Sequence, residues 1–263
     1  MTFLGADFGL RPLTFLGQRM HALSMDETVE LITDRVSGGH FTQHVVVNVA
    51  KLVNMQSDAK LKESVDSCDI INIDGMGVVW GARLCGHTVP ERVAGVDLFL
   101  RLLEKSALKG FSVFFLGAKP EIVEKTAQTM TVRYPGLKVA GYHHGYFWDD
   151  EEFVVDMIQK SKADLIFVAI SSPKKENFIN KWKDRLGVQF VMGVGGTFDV
   201  VSGKTRRAPI WMQKYGLEWL YRVIQEPRRM WKRYLVTNTK YLVLLFKEFI
   251  SSSGALRQEK ISK

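Results

Sequence analysis

The chain has 263 residues, 46% of them hydrophobic and 24% charged, which is the composition of a soluble globular protein with a sizeable core. Its two cysteines, Cys68 and Cys85, exclude a disulfide framework and a cysteine-rich metal site, and read as reduced thiols of a cytosolic protein. The net charge of +8 is confined to one end: residues 204–247 carry 11 basic and 2 acidic side chains, which leaves the rest of the chain at −1.

The N-terminal stretch MTFLGADFGLRPLTFLG lacks a basic segment followed by a continuous apolar run, so no signal peptide is expected. Six short apolar runs follow: HVVVNV, DIINI, FSVFFLG, LKVAGY, DLIFVAI and QFVMGVG. Each reads as a buried strand. Helical patterns lie between and after them, at 50–67, 77–85, 97–108, 120–134, 151–161 and 174–186. The β-then-α alternation predicts an α/β fold, a mostly parallel sheet with helices on both faces.

The pattern changes from Pro209. Leu217, Leu220, Tyr221 and Ile224 share one helical face, Pro227 ends that helix, and a second helix carries a basic stripe through Arg229, Arg233, Lys240 and Lys247. The stretch YLVLLFKEFI is interrupted by Lys247 and Glu248 and is too short to span a bilayer, which takes about 20 apolar residues. This divides the chain into 1–203, an α/β domain; 204–250, a basic helical appendage suited to an anionic surface; and 251–263, a disordered tail.

Ligands of open parallel sheets bind at the carboxyl ends of the strands. The residues predicted there are Asn48 after the first strand, Asp74 after the second, Gly117 in LGAKPE, Lys175 in ISSPKKE, and Gly195, Gly196 and Asp199 in GVGGTFD. LGAKPE and ISSPKKE each start a helix near a proline, where free N–H groups suit a phosphate; for either alone, a plain turn is the simpler reading. Asp74 reads either as a helix cap or as a general base, and on this residue alone capping ranks first. Arg92, in PERVAGVD, suits a phosphate or a carboxylate, or a surface pair with Glu91 or Asp97. The glycines at 193, 195 and 196 do not have the dinucleotide spacing, which weakens a nicotinamide reading. No D-x-D or C-x-x-C occurs, so no metal clamp and no cofactor are expected.

The motifs VVNVAKLV, IDGMGVVWGARL, PERVAGVDL, FFLGAKPE, SSPKKE, MGVGGTFDVVSGKTRRAP and GLEWLYRVIQEPRR occur in order over residues 44–233. Together they resemble the WecG/TagA/CpsF family of bacterial glycosyltransferases. The resemblance implies a Rossmann-like fold and an inverting, metal-independent transfer of a hexose from UDP to a polyprenyl-diphosphate-linked sugar. The hexose would be N-acetylmannosamine, its uronic acid or glucose. It implies Asp74 as catalytic base, Asn48 and Arg92 beside it, Asp199 on the nucleotide, and Arg206, Arg207 and Arg222 closing from the appendage. Lys175 stands where many relatives carry a glutamine near the sugar, and Val46 where some carry threonine. The implied setting is the inner face of the bacterial cytoplasmic membrane, in cell-surface polysaccharide synthesis, with the appendage docked on lipid. Relatives form dimers or trimers, so a homo-oligomer is compatible. A protein with a basic, aromatic-rich end that binds nucleic acid or membrane without catalysis is the alternative; it leaves Asp74 and the strand-end turns without a role.

Overall fold

The computed structural model describes residues 9–261. The chain opens with an antiparallel hairpin, β1 (Pro12–Phe15) and β2 (Gln18–His21). Its turn residues Leu16 and Gly17 both have positive φ, 52° and 69°, a backbone that matches the twist of the flanking strands. Helix α1 (Met25–Ser37) follows and is closed by a capping box: Glu27 N–H donates to the Ser24 side chain, and Ser24 N–H donates to the Glu27 carboxylate. Neither hairpin nor α1 was expected from periodicity.

The six apolar runs form six strands, β3 (Thr42–Val47), β4 (Ile70–Ile73), β5 (Ser112–Gly117), β6 (Lys138–His143), β7 (Leu165–Ala169) and β8 (Phe190–Gly193). They build one parallel sheet of order β4-β3-β8-β7-β5-β6. The helices between them are α2 (Val49–Met55), α3 (Ala59–Asp66), α4 (Met76–Leu84), α5 (Gly95–Lys109), α6 (Pro120–Arg133), α7 (Glu151–Ser161), α8 (Lys174–Trp182) and α9 (Thr197–Val201). The helix expected over 50–67 is two: the chain breaks at Gln56–Asp58, where Asp58 accepts the Leu61 N–H and caps α3.

Side-chain alternation divides the core between the two faces of the sheet. Val113 and Phe115 of β5 join Leu165 and Phe167 of β7 under α1, α5, α6 and α9. Phe114, Leu116, Ile166 and Val168 face the other way, under α7 and α8. On that second face Val45, Val47, Ile71 and Ile73 pack against the hairpin, α2, α3 and α4. This is a Rossmann-like arrangement, covered on both sides as a parallel sheet requires.

Three helices complete the chain: α10 (Ile210–Lys214), α11 (Glu218–Gln225) and α12 (Pro227–Ile261). Helix α12 packs on α2, and its Tyr241 hydroxyl donates to Gly77 O of α4 at 2.7 Å. Gly81 makes this approach feasible, because a Cβ there would collide with Tyr241 Oη and lie 3.0 Å from Phe15 Cζ. The disordered tail expected from Ser251 is instead helical backbone through Ile261. Residues 255–260, ALRQEK, are strong helix formers with no proline among them. Residues 1–8 of the expected first domain and 262–263 of the tail lie outside the described residues.

Candidate active site

Asp74 leaves β4 with its N–H bonded to Val47 O at 2.8 Å, which places it beside Asn48 at the end of β3. It caps no helix. Gly75 occupies the N-cap position of α4, with φ 117° and no side-chain cap bond. The Asp74 carboxylate instead faces the start of α5, where the Gly95 N–H favours its charged form. That N–H has no partner within its own helix, so a carboxylate is the natural acceptor. A Cβ on Gly95 would stand in ordinary contact, 3.6 Å from Val46 Cγ2 and 4.0 Å from Asp74 Oδ2. Burial raises the Asp74 pKa above the usual carboxylate value; Arg92 opposes the rise, Glu218 adds to it, and Arg222 and the Gly95 N–H oppose it again.

Asn48 caps α2: its Oδ1 accepts the Lys51 N–H at 3.0 Å. Arg92 is 12% exposed and pairs with neither Glu91 nor Asp97. Its guanidinium meets the carboxylate of Glu218, at the start of α11 and 126 residues further along the chain. Asp97 is taken by Arg207 through two bonds of 2.5 and 2.7 Å, and Arg207 Nε also lies 3.5 Å from Glu218.

A cavity of about 500 Å³ opens onto these groups. Asn48, Asp74, Arg92, Glu218, Arg222 and Arg233 form its polar end. Trp80 and Leu84 of α4, with Tyr241, Leu242 and Leu245 of α12, form an apolar wall. A smaller cavity of about 90 Å³ adjoins it, lined by Gly196, Asp199, Arg206 and Arg207 and sharing Glu218 and Arg222 with the first. The structure thus gathers Asp74, Asn48, Arg92 and Arg222 in one place, and Gly196, Asp199, Arg206 and Arg207 next to it. Asp199 is bound to Lys204 Nζ at 2.8 Å. Gly195 has φ 55°, and neither it nor Gly196 has any atom within 4 Å of where a Cβ would project.

Gly117, Lys175 and Gly195 line neither cavity. Gly117, with φ 118°, lies so close to the Ala169 carbonyl that a Cβ would overlap it, which is reason enough for a glycine. Lys175 is buried. Its Nζ lies 2.8 Å from Glu176 Oε1, and Lys51 Nζ lies 2.9 Å from the same oxygen. Burial, with the charges of Lys51 and Arg233, brings the Lys175 pKa down to about 8, against the pull of Glu176. Burial pushes Glu176 up, but the two ammonium groups outweigh it and hold the carboxyl at about 2. The sequence reading passed over Glu218, Lys51, Glu176 and Tyr241. Only Gly81 hinted at any of them, by marking where Tyr241 packs closely.

The sequence model of the Glycosyl transferase WecG/TagA/CpsF family matches residues 13–255. The chain belongs to this family. It is 39% identical over 183 residues to the N-acetylglucosaminyldiphosphoundecaprenol N-acetyl-beta-D-mannosaminyltransferase of Bacillus spizizenii, covering 70% of each chain. It is 34% identical over 215 residues to the protein of the same description from Bacillus subtilis, covering 80% of this chain and 83% of that one. For a WecG/TagA/CpsF glycosyltransferase built on an open parallel sheet, the general rule points to ligands at the carboxyl ends of the strands, where this cavity lies.

Proposed function

We propose that this glycosyltransferase moves an N-acetylmannosamine-type hexose from UDP onto a polyprenyl-diphosphate-linked N-acetylglucosamine, with inversion at the anomeric carbon. The supporting observation is the two-sided character of the larger cavity. Its polar end holds one carboxylate suited to take a proton, with guanidinium groups around it; its wall is aromatic and aliphatic. A sugar diphosphate on an isoprenoid chain has the same division. The relatives' descriptions name such an acceptor and a mannosaminyl group in β linkage, the outcome expected on inverting an α-linked nucleotide donor.

In this reading Asp74 accepts the proton of the acceptor hydroxyl as its oxygen attacks the anomeric carbon. The bond from that carbon to the diphosphate oxygen breaks, and UDP leaves with the electron pair. The raised pKa makes Asp74 a better base than an ordinary carboxylate, and such catalysis contributes typically about 100- to 10,000-fold. Arg92 and Arg222 balance the charge that develops on the departing diphosphate. Asn48 orients the reacting sugars beside Asp74. Gly195, Gly196, Asp199, Arg206 and Arg207 serve the nucleotide, and Gly117 shapes the neighbouring turn. Lys175, buried and outside both cavities, contributes through its charge.

Membrane docking belongs to the same reading. Among the described residues no helix is long and apolar enough to cross a bilayer. Helices α10–α12 nonetheless expose Trp211, Trp219, Trp231, Leu235, Phe246 and Ile250 among basic side chains. Aromatic and basic residues suit the headgroup layer on the inner face of the membrane, where such an acceptor is presented.

The test is transfer from a panel of UDP-sugars to a synthetic polyprenyl-diphosphate N-acetylglucosamine, in EDTA, with Asp74→Asn as control. The expected result is one preferred donor, EDTA resistance, a β-linked product and loss of transfer in the variant. Full activity of Asp74→Asn removes it as the base, and transfer from no UDP-sugar removes the donor assignment.

A further inference from the structure

Among the described residues Glu218 is the one carboxylate of the appendage that reaches the larger cavity, where the proposed chemistry calls for positive charge. It lines both cavities. Its side chain is 25% exposed and faces Arg92, at 12%. Among the described residues Arg92 has no other ion-pair partner. Arg207 leans on Glu218 only secondarily, since Asp97 already engages it with two short bonds. Helix α11, which carries Glu218, has no buried residue. Its ion pair with the α/β domain is Arg92–Glu218; within the appendage Gln225 Nε2 donates to Arg206 O at 2.9 Å and the Trp219 ring meets Tyr234 of α12.

We propose that Glu218 is a built-in stand-in for the donor's diphosphate. It neutralises Arg92 until a diphosphate arrives, then gives Arg92 up and keeps Arg207 as its partner. The physical basis is competition for one guanidinium. A carboxylate brings one negative charge; a diphosphate brings at least two and offers a guanidinium more acceptor oxygens. The exchange frees Arg92 for the diphosphate while Glu218 stays beside Arg207, and Arg222, on the same helix, lines the same cavity. Glu218 is thus a positioning residue that acts through Arg92. The inference rests on the nucleotide-donor reading, but the anion it concerns is the diphosphate alone.

The experiment is calorimetric titration of the full chain with UDP, uridine and inorganic pyrophosphate, for wild type, Glu218→Gln, Glu218→Asp, Arg92→Gln and the double variant Arg92→Gln/Glu218→Gln. Glu218→Gln should bind UDP and pyrophosphate roughly 3- to 10-fold tighter, as expected when a competing charge is removed from one partly buried guanidinium. Uridine binding should not change, and Glu218→Asp should fall between. In the Arg92→Gln background, Glu218→Gln should bring no gain, which a general structural role for Glu218 would not produce. Unchanged or weaker pyrophosphate binding by Glu218→Gln overturns the proposal, as does an equal gain without Arg92. A gain for pyrophosphate with no preference for UDP over pyrophosphate in any variant keeps the stand-in and overturns the nucleotide-donor reading instead.

Discussion

Glu176→Gln removes the charge that two buried ammonium groups share. Glu176 is 4% exposed, Lys51 and Lys175 are each 7% exposed, and both nitrogens lie within 2.9 Å of one oxygen. Taking away one member of a buried ionic group typically costs about 3–5 kcal/mol, a large part of a total stability of about 5–15 kcal/mol. For a chain of this size 1 kcal/mol moves Tm by about 2–4 °C, so the variant should melt roughly 6–20 °C lower at pH 7. The dependence on pH is the more specific expectation. In the wild type Glu176 has its folded pKa lowered from 4.5 to about 2, so its contribution is full above 4.5 and is lost as pH falls toward 2. Lys175 has its folded pKa lowered from 10.5 to about 8, so its burial penalty is full below 8 and lifts as pH rises toward 10.5. Without Glu176 the lysines shed their protons more easily, so the deficit should shrink between pH 7 and pH 9. Thermal unfolding followed by circular dichroism at pH 6, 7, 8 and 9 measures this. Lys175→Met, which leaves the Lys51–Glu176 pair and the aliphatic stem against Gly193, should leave Tm unchanged or raise it. A Glu176→Gln protein that melts within a degree of wild type, or whose deficit grows with pH, refutes the shared-carboxylate reasoning.

Asp74→Asn should melt at or above the wild-type temperature at neutral pH while losing transfer: a carboxyl with a raised pKa opposes folding once ionised, and asparagine keeps an oxygen to face the Gly95 N–H. For the same reason the acid limb of the wild-type pH–rate profile should lie above the ordinary carboxylate range; a limb at or below it contradicts the burial of Asp74. Gly81→Val should push Tyr241 off α4 and destabilise by about 1–3 kcal/mol, the usual cost of overpacking, read from urea unfolding. Replacing Trp211 and Trp231 by alanine together should weaken binding to anionic vesicles in a sedimentation assay with Tm unchanged, since the two rings are 57% and 55% exposed. Equal binding by that variant separates α10 and α12 from the lipid surface.

Much of this molecule is legible along the chain because its signals are local. Six apolar runs became six strands, since residues buried on both faces of a parallel sheet need no alternation to be recognised. Asn48 and Asp74 stand out because each directly follows such a run. The N-terminal hairpin escaped notice because its strands are only four residues long. Helix α1 was missed although Ser24-Met25-Asp26-Glu27 spells a capping box, and Asp58 marks the break between α2 and α3 in the same way.

By itself, then, the sequence determined the α/β class, the six strands, the basic end and the motifs that mark the family, all carried by neighbours within a few residues. Tertiary structure alone decided the electrostatics of the site. Arg92 meets Glu218 across 126 residues and Arg207 meets Asp97 across 110. Lys51 and Lys175 converge on one carboxylate because the sheet order brings the ends of β3, β8 and β7 side by side. Charge pairs have no period along a chain. Which cation neutralises which anion is settled by strand order and by how a late helix packs on an early one, and these are properties of the assembled fold.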